Sequence, residues 1–221
     1  MPQLKVDSVQ LSYNNRKILQ DVYLQCQTGE VLGILGRNGS GKSSLLKVIF
    51  GSVTPEYKYV SIDDHHITKG YINKQIAYLP QHNYLPAHIS IWQLAEFMIS
   101  PADWNEFSSY PVYQNNFTKK IKEVSGGEQR QLEILMVMYS AAPFILLDEL
   151  FTHVSPIQAE ALKELIRKRS AHKGIIVTDH QYYNVLDVAH RIILMNNGRT
   201  QPVNHADELV TYGYLSGVKT S

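Results

Sequence analysis

The chain is predicted to be an α/β protein with a mostly parallel sheet, an antiparallel β part at the N-terminus and a short helical insertion. Three observations carry that prediction. In the last third, strand-sized apolar runs alternate with helical patterns, as βαβ units around a parallel sheet require. Near the start, Leu4, Val6, Val9 and Leu11 alternate with polar residues, the pattern of half-buried antiparallel strands. Between residues 83 and 140 helical spacing and a polar-aromatic stretch take over.

The elements follow in order. Asn14-Asn15 marks a turn after the first strand, and Val22 and Leu24 resume the alternation. Thr28-Gly29 is a second turn, and "EVLGIL" (30–35) is a continuous apolar strand of the buried type. The Gly-rich "GRNGSGKS" leads into a helical run, "SLLKVIFG", ended by Gly51. "YKYVSID" and "KQIAYLP" read as two more strands. Ser90-Ile91-Trp92-Gln93 has capping-box spacing, and Ile91, Leu94, Ala95 and Met98 form a helical stripe that Pro101 ends. Residues 101–118 read as loop. A helix after Gly127 runs to about Tyr139. Then come strand "FILLD", a helix from about Pro156 to Ala171, strand "GIIVTD", short helix "YNVLDVA", strand "RIILM" and a turn at Asn197-Gly198. The expected organisation is one domain over 1–221. Its core and β subdomain lie at 1–82 and 141–221, and its helical subdomain at 83–140.

Bulk properties narrow the function. The net charge of +1 gives no global electrostatic case for nucleic acid, so no direct nucleic-acid partner is expected. The one cysteine, Cys26, excludes an internal disulfide and is expected to be inert. No signal peptide is apparent, and no run approaches the ~20 apolar residues of a membrane span. The expectation is a cytosolic chain that meets a membrane through a partner.

Two motifs carry chemistry. Gly36-Arg37-Asn38-Gly39-Ser40-Gly41-Lys42-Ser43 matches G-x-x-x-x-G-K-[ST] and sits between a strand and a helix, as a P-loop requires. Its amides ring phosphates, and the helix N-terminus adds its positive end. Lys42 is expected at the β- and γ-phosphates and Ser43 on Mg²⁺, with Asn38, Gly39, Ser40, Gly41 and Ser44 completing the cradle. The core is thus that of a P-loop NTPase. "FILLDE" then delivers Asp148 to the C-terminal end of a buried strand, where ligands bind in parallel sheets. Asp148 is expected to hold Mg²⁺ through water, and Glu149 to orient and deprotonate the attacking water.

Between these motifs lies "VSGGEQRQLEIL" (124–135), a helix start with two glycines that cost helix stability. The order of motifs resembles the ATP-binding cassette (ABC) ATPases over roughly residues 4 to 200. Val124-Ser125-Gly126-Gly127-Glu128 stands at their LSGGQ-like signature, Tyr13 at the adenine-stacking aromatic, Gln81 at the Q-loop and His180 at the switch histidine. The resemblance implies ATP and Mg²⁺ as ligands, with Gln81 joining Ser43 and Asp148 at the metal. It implies head-to-tail dimers with itself or a second cassette. Ser125, Gly126, Gly127 and Glu128 would then act on the ATP of the other subunit, and His180 on its own γ-phosphate.

Hydrolysis powering a separate membrane-spanning permease, from the cytoplasmic face, is the function this implies. The alternatives are a soluble cassette of the iron–sulfur assembly type and a regulatory cassette that scarcely hydrolyses. "VTDH" and "SGGE" are similar to stretches in cassettes for lipopolysaccharide export and branched-chain amino acid import. Leu150 stands where the family usually has Pro, Ser155 where a D-loop Asp is usual, Glu128 for the commoner Gln, and Met136 where Arg is frequent. The family's helical lobe docks on the membrane partner. Most aromatics here are expected to fill the lobe's core, with Trp92 and Tyr84 the two expected at a docking surface. Asp63-Asp64-His65-His66 reads as a solvated turn rather than a metal cluster, and "KELIRKRSAHK" (163–173) as a solvated helix face.

Overall fold

The computed structural model describes residues 1–152 and 154–214. Asn14 and Asn15 sit at φ 48° and 63°, a left-handed backbone that asparagine tolerates. The chain therefore reverses between β1 (Gln3–Tyr13) and β2 (Arg16–Gln27), which pair antiparallel. β3 (Val31–Leu35) is buried along its whole length. The Gly-rich loop connects it to α1 (Lys42–Phe50), which Gly51 ends at φ 97°. β4 (Tyr57–Ile62) and the exposed two-residue β5 (His65–His66) join β1 and β2 in a four-stranded antiparallel sheet, order β2-β1-β4-β5. The predicted turn at His65-His66 is thus the end of a small hairpin.

β6 (Ile76–Leu79) opens the second half of the core. α2 (Ile91–Met98) starts at a capping box between Ser90 and Gln93. Residues 101–118, expected as loop, contain a 3₁₀ turn (Pro101–Asp103), α3 (Trp104–Ser108) and α4 (Pro111–Gln114). Pro101 and Pro111 each begin a helical turn, where a missing N–H costs nothing. Pro101 therefore starts the next element, and α2 ends earlier, with its cap at Ile99. Buried Phe107 and Tyr113 hold the turns together with ring centroids 4.9 Å apart. α5 (Gly126–Met138) follows, with Met136 fully buried.

The last third is regular: β7 (Phe144–Asp148), α6 (Pro156–Ser170), β8 (Gly174–Thr178), α7 (Tyr182–Val188), β9 (Arg191–Asn196), β10 (Arg199–Val203) and α8 (Ala206–Thr211). The six-stranded sheet runs β10-β9-β3-β8-β7-β6, parallel except for the β9–β10 hairpin. β10 and α8 extend the elements read from sequence. α1 packs between the two sheets, while α5, α6 and α7 build a second apolar core. β7 lies inside the sheet, with β6 on one side and β8 on the other.

The basic stretch 163–173 differs from expectation, for three of its cations are buried. Arg169 makes two bonds to the Asp103 carboxylate, at 2.8 and 2.7 Å. It donates to the Met138 carbonyl at 3.1 Å and lies 4.4 Å over the Tyr139 ring. Lys163 pairs with Asp187 at 2.6 Å. Lys173 donates to the Ser140 and Ala142 carbonyls at 2.6 and 2.7 Å, and burial draws it down to about 8. Distant partners, invisible to a local charge pattern, take these cations out of solvent. Cys26 is buried, and burial pushes its thiol up.

Candidate functional site

The Gly-rich loop leaves β3 and enters α1 through Gly41, which caps the helix at φ 107°. A Cβ there would come within 3.0 Å of the Ile18 carbonyl, so only glycine fits. Lys42 is buried, and its ammonium donates to the Gly36 carbonyl at 2.7 Å and the Arg37 carbonyl at 3.3 Å. Burial lowers its pKa, against the upward pull of Glu149, Asp148 and Asp179. The cation is therefore held inside the loop with three carboxylates around it. Ser40 Oγ is buried and makes no hydrogen bond among the described residues.

Asp148 closes β7 with only 1% exposure. Its Oδ1 accepts from Ser43 Oγ at 2.9 Å and Thr178 Oγ1 at 3.0 Å. Its Oδ2 accepts from Tyr78 OH at 2.9 Å. Ser43 was expected beside Asp148. Tyr78 and Thr178 were missed, since each reads as an ordinary strand residue. They reach Asp148 because β6 and β8 flank β7, with Thr178 in register with Asp148.

Glu149 follows at φ 53°, an uncommon backbone for a residue other than glycine. Its N–H donates to the Thr178 carbonyl at 2.9 Å. The side chain accepts from Gln81 Nε2 at 2.6 Å and stands 3.9 Å from His180 Nδ1. His180 also lies 3.5 Å from Thr152 Oγ1. Asp179, which sequence reasoning passed over, accepts from the Phe151 and Gln181 amides at 2.7 and 2.8 Å and so ties the turn after β7 to the end of β8. Leu150 is buried in the core, and Ser155 caps α6 through Gln158.

Tyr13, Asn38, Gly39, Ser40, Gly41, Lys42, Ser43, Ser44 and Glu149 border one cleft of about 360 Å³. Arg16, also missed, borders it too and lies one turn beyond Tyr13. Tyr13 is half exposed at the mouth. The 125–128 stretch is not part of this cleft. Gly126 and Gly127 line a separate groove of about 630 Å³ that Gln81 and Glu149 also border.

That stretch is a closed capping box. Ser125 Oγ accepts from the Glu128 amide at 3.3 Å, while Glu128 Oε2 accepts from Ser125 N at 3.0 Å and Ser125 Oγ at 2.7 Å. Asn116 Nδ2 donates to the other Glu128 oxygen at 3.1 Å. Among the described residues, a Cβ at Gly126 or at Gly127 would meet nothing within 4 Å. None of the described residues asks for glycine there.

A family model described as ABC transporter matches residues 19–152, more than half of the chain. The chain belongs to the ABC transporter family. It is an ATP-binding cassette and an ATPase, as the resemblance implied. It is similar to a lipopolysaccharide export system ATP-binding protein, LptB, of Acidithiobacillus ferridurans. The two are 29% identical over 94% of the cassette and 92% of the relative. The protein of the same name from Escherichia coli K12 is 28% identical over 90% and 88%. Among solved structures, an ATP-binding subunit of an ABC transporter matches with TM-score 0.81 and 21% identity, covering 97% and 95% of the two chains. A cassette described in its ADP conformation matches with TM-score 0.73 and 20% identity, covering 97% and 95%. These two confirm the α/β cassette fold. Among the described residues no helix is long and apolar enough to cross a membrane.

Proposed function

We propose that this cassette hydrolyses ATP in a head-to-tail dimer and drives a separate membrane-spanning permease from the cytoplasmic face. The observation that supports the dimer most is the open space at Gly126 and Gly127. Two helix-disfavouring residues at a helix start, with no internal reason for them, suit a backbone that must approach a phosphate from outside. Ser125, Gly126 and Gly127 would meet the γ-phosphate held by the other subunit. Glu128 closes their capping box.

On its own side each cassette would hold ATP along the P-loop. Tyr13 would stack on the adenine. The amides from Asn38 to Ser44 would ring the phosphates, and Lys42 would exchange its loop carbonyls for the β- and γ-phosphates. The orphaned Ser40 hydroxyl lies in the same loop and fits an incoming acceptor. The Ser43 hydroxyl and the buried Asp148 carboxylate are hard oxygen donors that fit Mg²⁺, while the Gln81 carboxamide stands on Glu149. Bound there, Mg²⁺ supplies charge neutralisation on the phosphates. Glu149 would take the proton of the attacking water, Gln81 would steer Glu149, and His180 would contact the γ-phosphate.

The relatives include subunits named for lipopolysaccharide export and for sulfate or thiosulfate import. The cassette chemistry thus serves both directions, and the membrane subunit selects the cargo. That subunit would dock on the helical lobe, where Trp92 and Tyr84 are exposed while Phe107 and Tyr113 fill the lobe's interior. Trp92→Ala and Tyr84→Ala together should weaken capture of the permease; unchanged capture refutes the docking assignment. The dimer is tested by sedimentation of Glu149→Gln, which should bind ATP without consuming it. A dimer at saturating ATP is expected, and a monomer would count against the arrangement.

A further inference from the structure

We propose that Tyr78 is a positioning residue for the divalent cation: its hydroxyl fixes the Asp148 carboxylate in the orientation that receives the metal. The inference rests on the proposed role of Asp148 and adds a residue to it.

Asp148 is buried, and buried polar atoms need hydrogen-bond partners. Three hydroxyls supply those bonds, and they are not equivalent. Ser43 and Thr178 share Oδ1. Ser43 has a second task, since its oxygen is itself a proposed metal ligand. Thr178 Oγ1 stands 3.5 Å from the Leu147 carbonyl as well as 3.0 Å from Asp148. Tyr78 alone holds Oδ2, at 2.9 Å, and it donates to no second acceptor among the described residues. Two oxygens pinned from opposite neighbours, β6 and β8, fix the plane of the carboxylate. Without Tyr78 the group keeps both bonds on one oxygen and is free to pivot about it.

The phenol is well suited to a permanent donor role. Its ring is nine-tenths buried and packs on Phe50, at the far end of the helix that Lys42 and Ser43 begin, with centroids 5.4 Å apart. A phenol carries its proton at neutral pH, so it stands as a donor to the carboxylate. Tyr78 also lies three residues before Gln81, so the bond ties the strand that carries the Q-loop to the carboxylate at the metal.

The test is Mn²⁺ binding to the ATP-loaded full chain, read by the loss of the free-ion signal in electron paramagnetic resonance. Tyr78→Phe keeps the ring on Phe50 and removes only the hydroxyl. Its Mn²⁺ affinity should fall about 10- to 150-fold, the range expected for one hydrogen bond to a charged group. Binding of a fluorescent ATP analogue in EDTA should be unchanged. That metal-free binding also counts folded sites, so the affinity is expressed per folded molecule even if the variant is partly unfolded. A Tyr78→Phe protein with wild-type Mn²⁺ affinity overturns the proposal, provided Asp148→Asn weakens Mn²⁺. If Asp148→Asn leaves Mn²⁺ affinity unchanged, the proposed role of Asp148 itself is wrong, and the inference falls with it. Equal losses of metal-free ATP binding and Mn²⁺ binding in Tyr78→Phe would make the residue merely structural and also overturn it.

Discussion

Replacing Gly126 and Gly127 together by alanine should make the isolated cassette more stable and disable it. Neither glycine has a positive φ, so alanine fits the backbone. Neither Cβ would touch anything among the described residues, so no clash and no packing gain are expected. What remains is the entropy of the unfolded chain, worth roughly 0.4–1 kcal/mol for each Gly→Ala change at a compatible site. The pair therefore adds about 1–2 kcal/mol, or a rise of roughly 2–8 °C in the unfolding midpoint for a chain of this size. Two methyl groups would at the same time hold the helix start away from a partner's phosphate. The assays are thermal or urea unfolding of the nucleotide-free protein, and steady-state ATP hydrolysis beside wild type. Stability up and hydrolysis near background is the expected pair. A fall in stability would show an unnoticed internal need for glycine, and wild-type hydrolysis would sink the proposed contact in trans.

Other perturbations give separate readouts. Glu149→Gln should lower hydrolysis by about 10²–10⁴-fold, as loss of a general base does; a wild-type rate in single-turnover kinetics would remove Glu149 from that role. Asp103→Ala strands the buried Arg169 guanidinium and should cost about 2–3 kcal/mol in urea unfolding, less than a fully buried pair because Asp103 is partly exposed. No change would mean that the Tyr139 ring and the Met138 carbonyl suffice for the cation. Lys173 binds its proton less tightly folded, at about 8, than unfolded. The unfolded state therefore holds more protons between about pH 8 and 10, and stability should rise across that window, by up to about 3 kcal/mol. Urea midpoints of wild type and Lys173→Met at both ends of the window test this: the rise should be absent from the variant, and equal rises would exclude Lys173 as the source.

Long apolar runs made the parallel core readable, because β3, β7 and β8 are buried at every residue and stand out from helical spacing. The stretch 101–118 was not readable as helix. Its turns are three to five residues long, below any helical period, and aromatic contacts rather than an amphipathic stripe hold them. The residues marked by motifs, Lys42, Ser43, Asp148 and Glu149, were visible because their chemistry dictates spacing along the chain. Tyr78 and Thr178 have no such spacing. They become partners of Asp148 only once the order β6-β7-β8 is known. Arg169 and Lys173 likewise looked like surface cations until Asp103 and the carbonyls of residues 138–142 came within reach.

The Ser125 hydroxyl is already spoken for, since it donates to Glu128 at 2.7 Å. In the proposed dimer an arriving γ-phosphate would have to take that hydrogen from a carboxylate of the same sign as itself. The contact is then a swap of one charged acceptor for another, and its net gain is the small difference between the two. The hydroxyl would thus add little depth to the closed state, and the Gly126 and Gly127 amides would carry most of that contact.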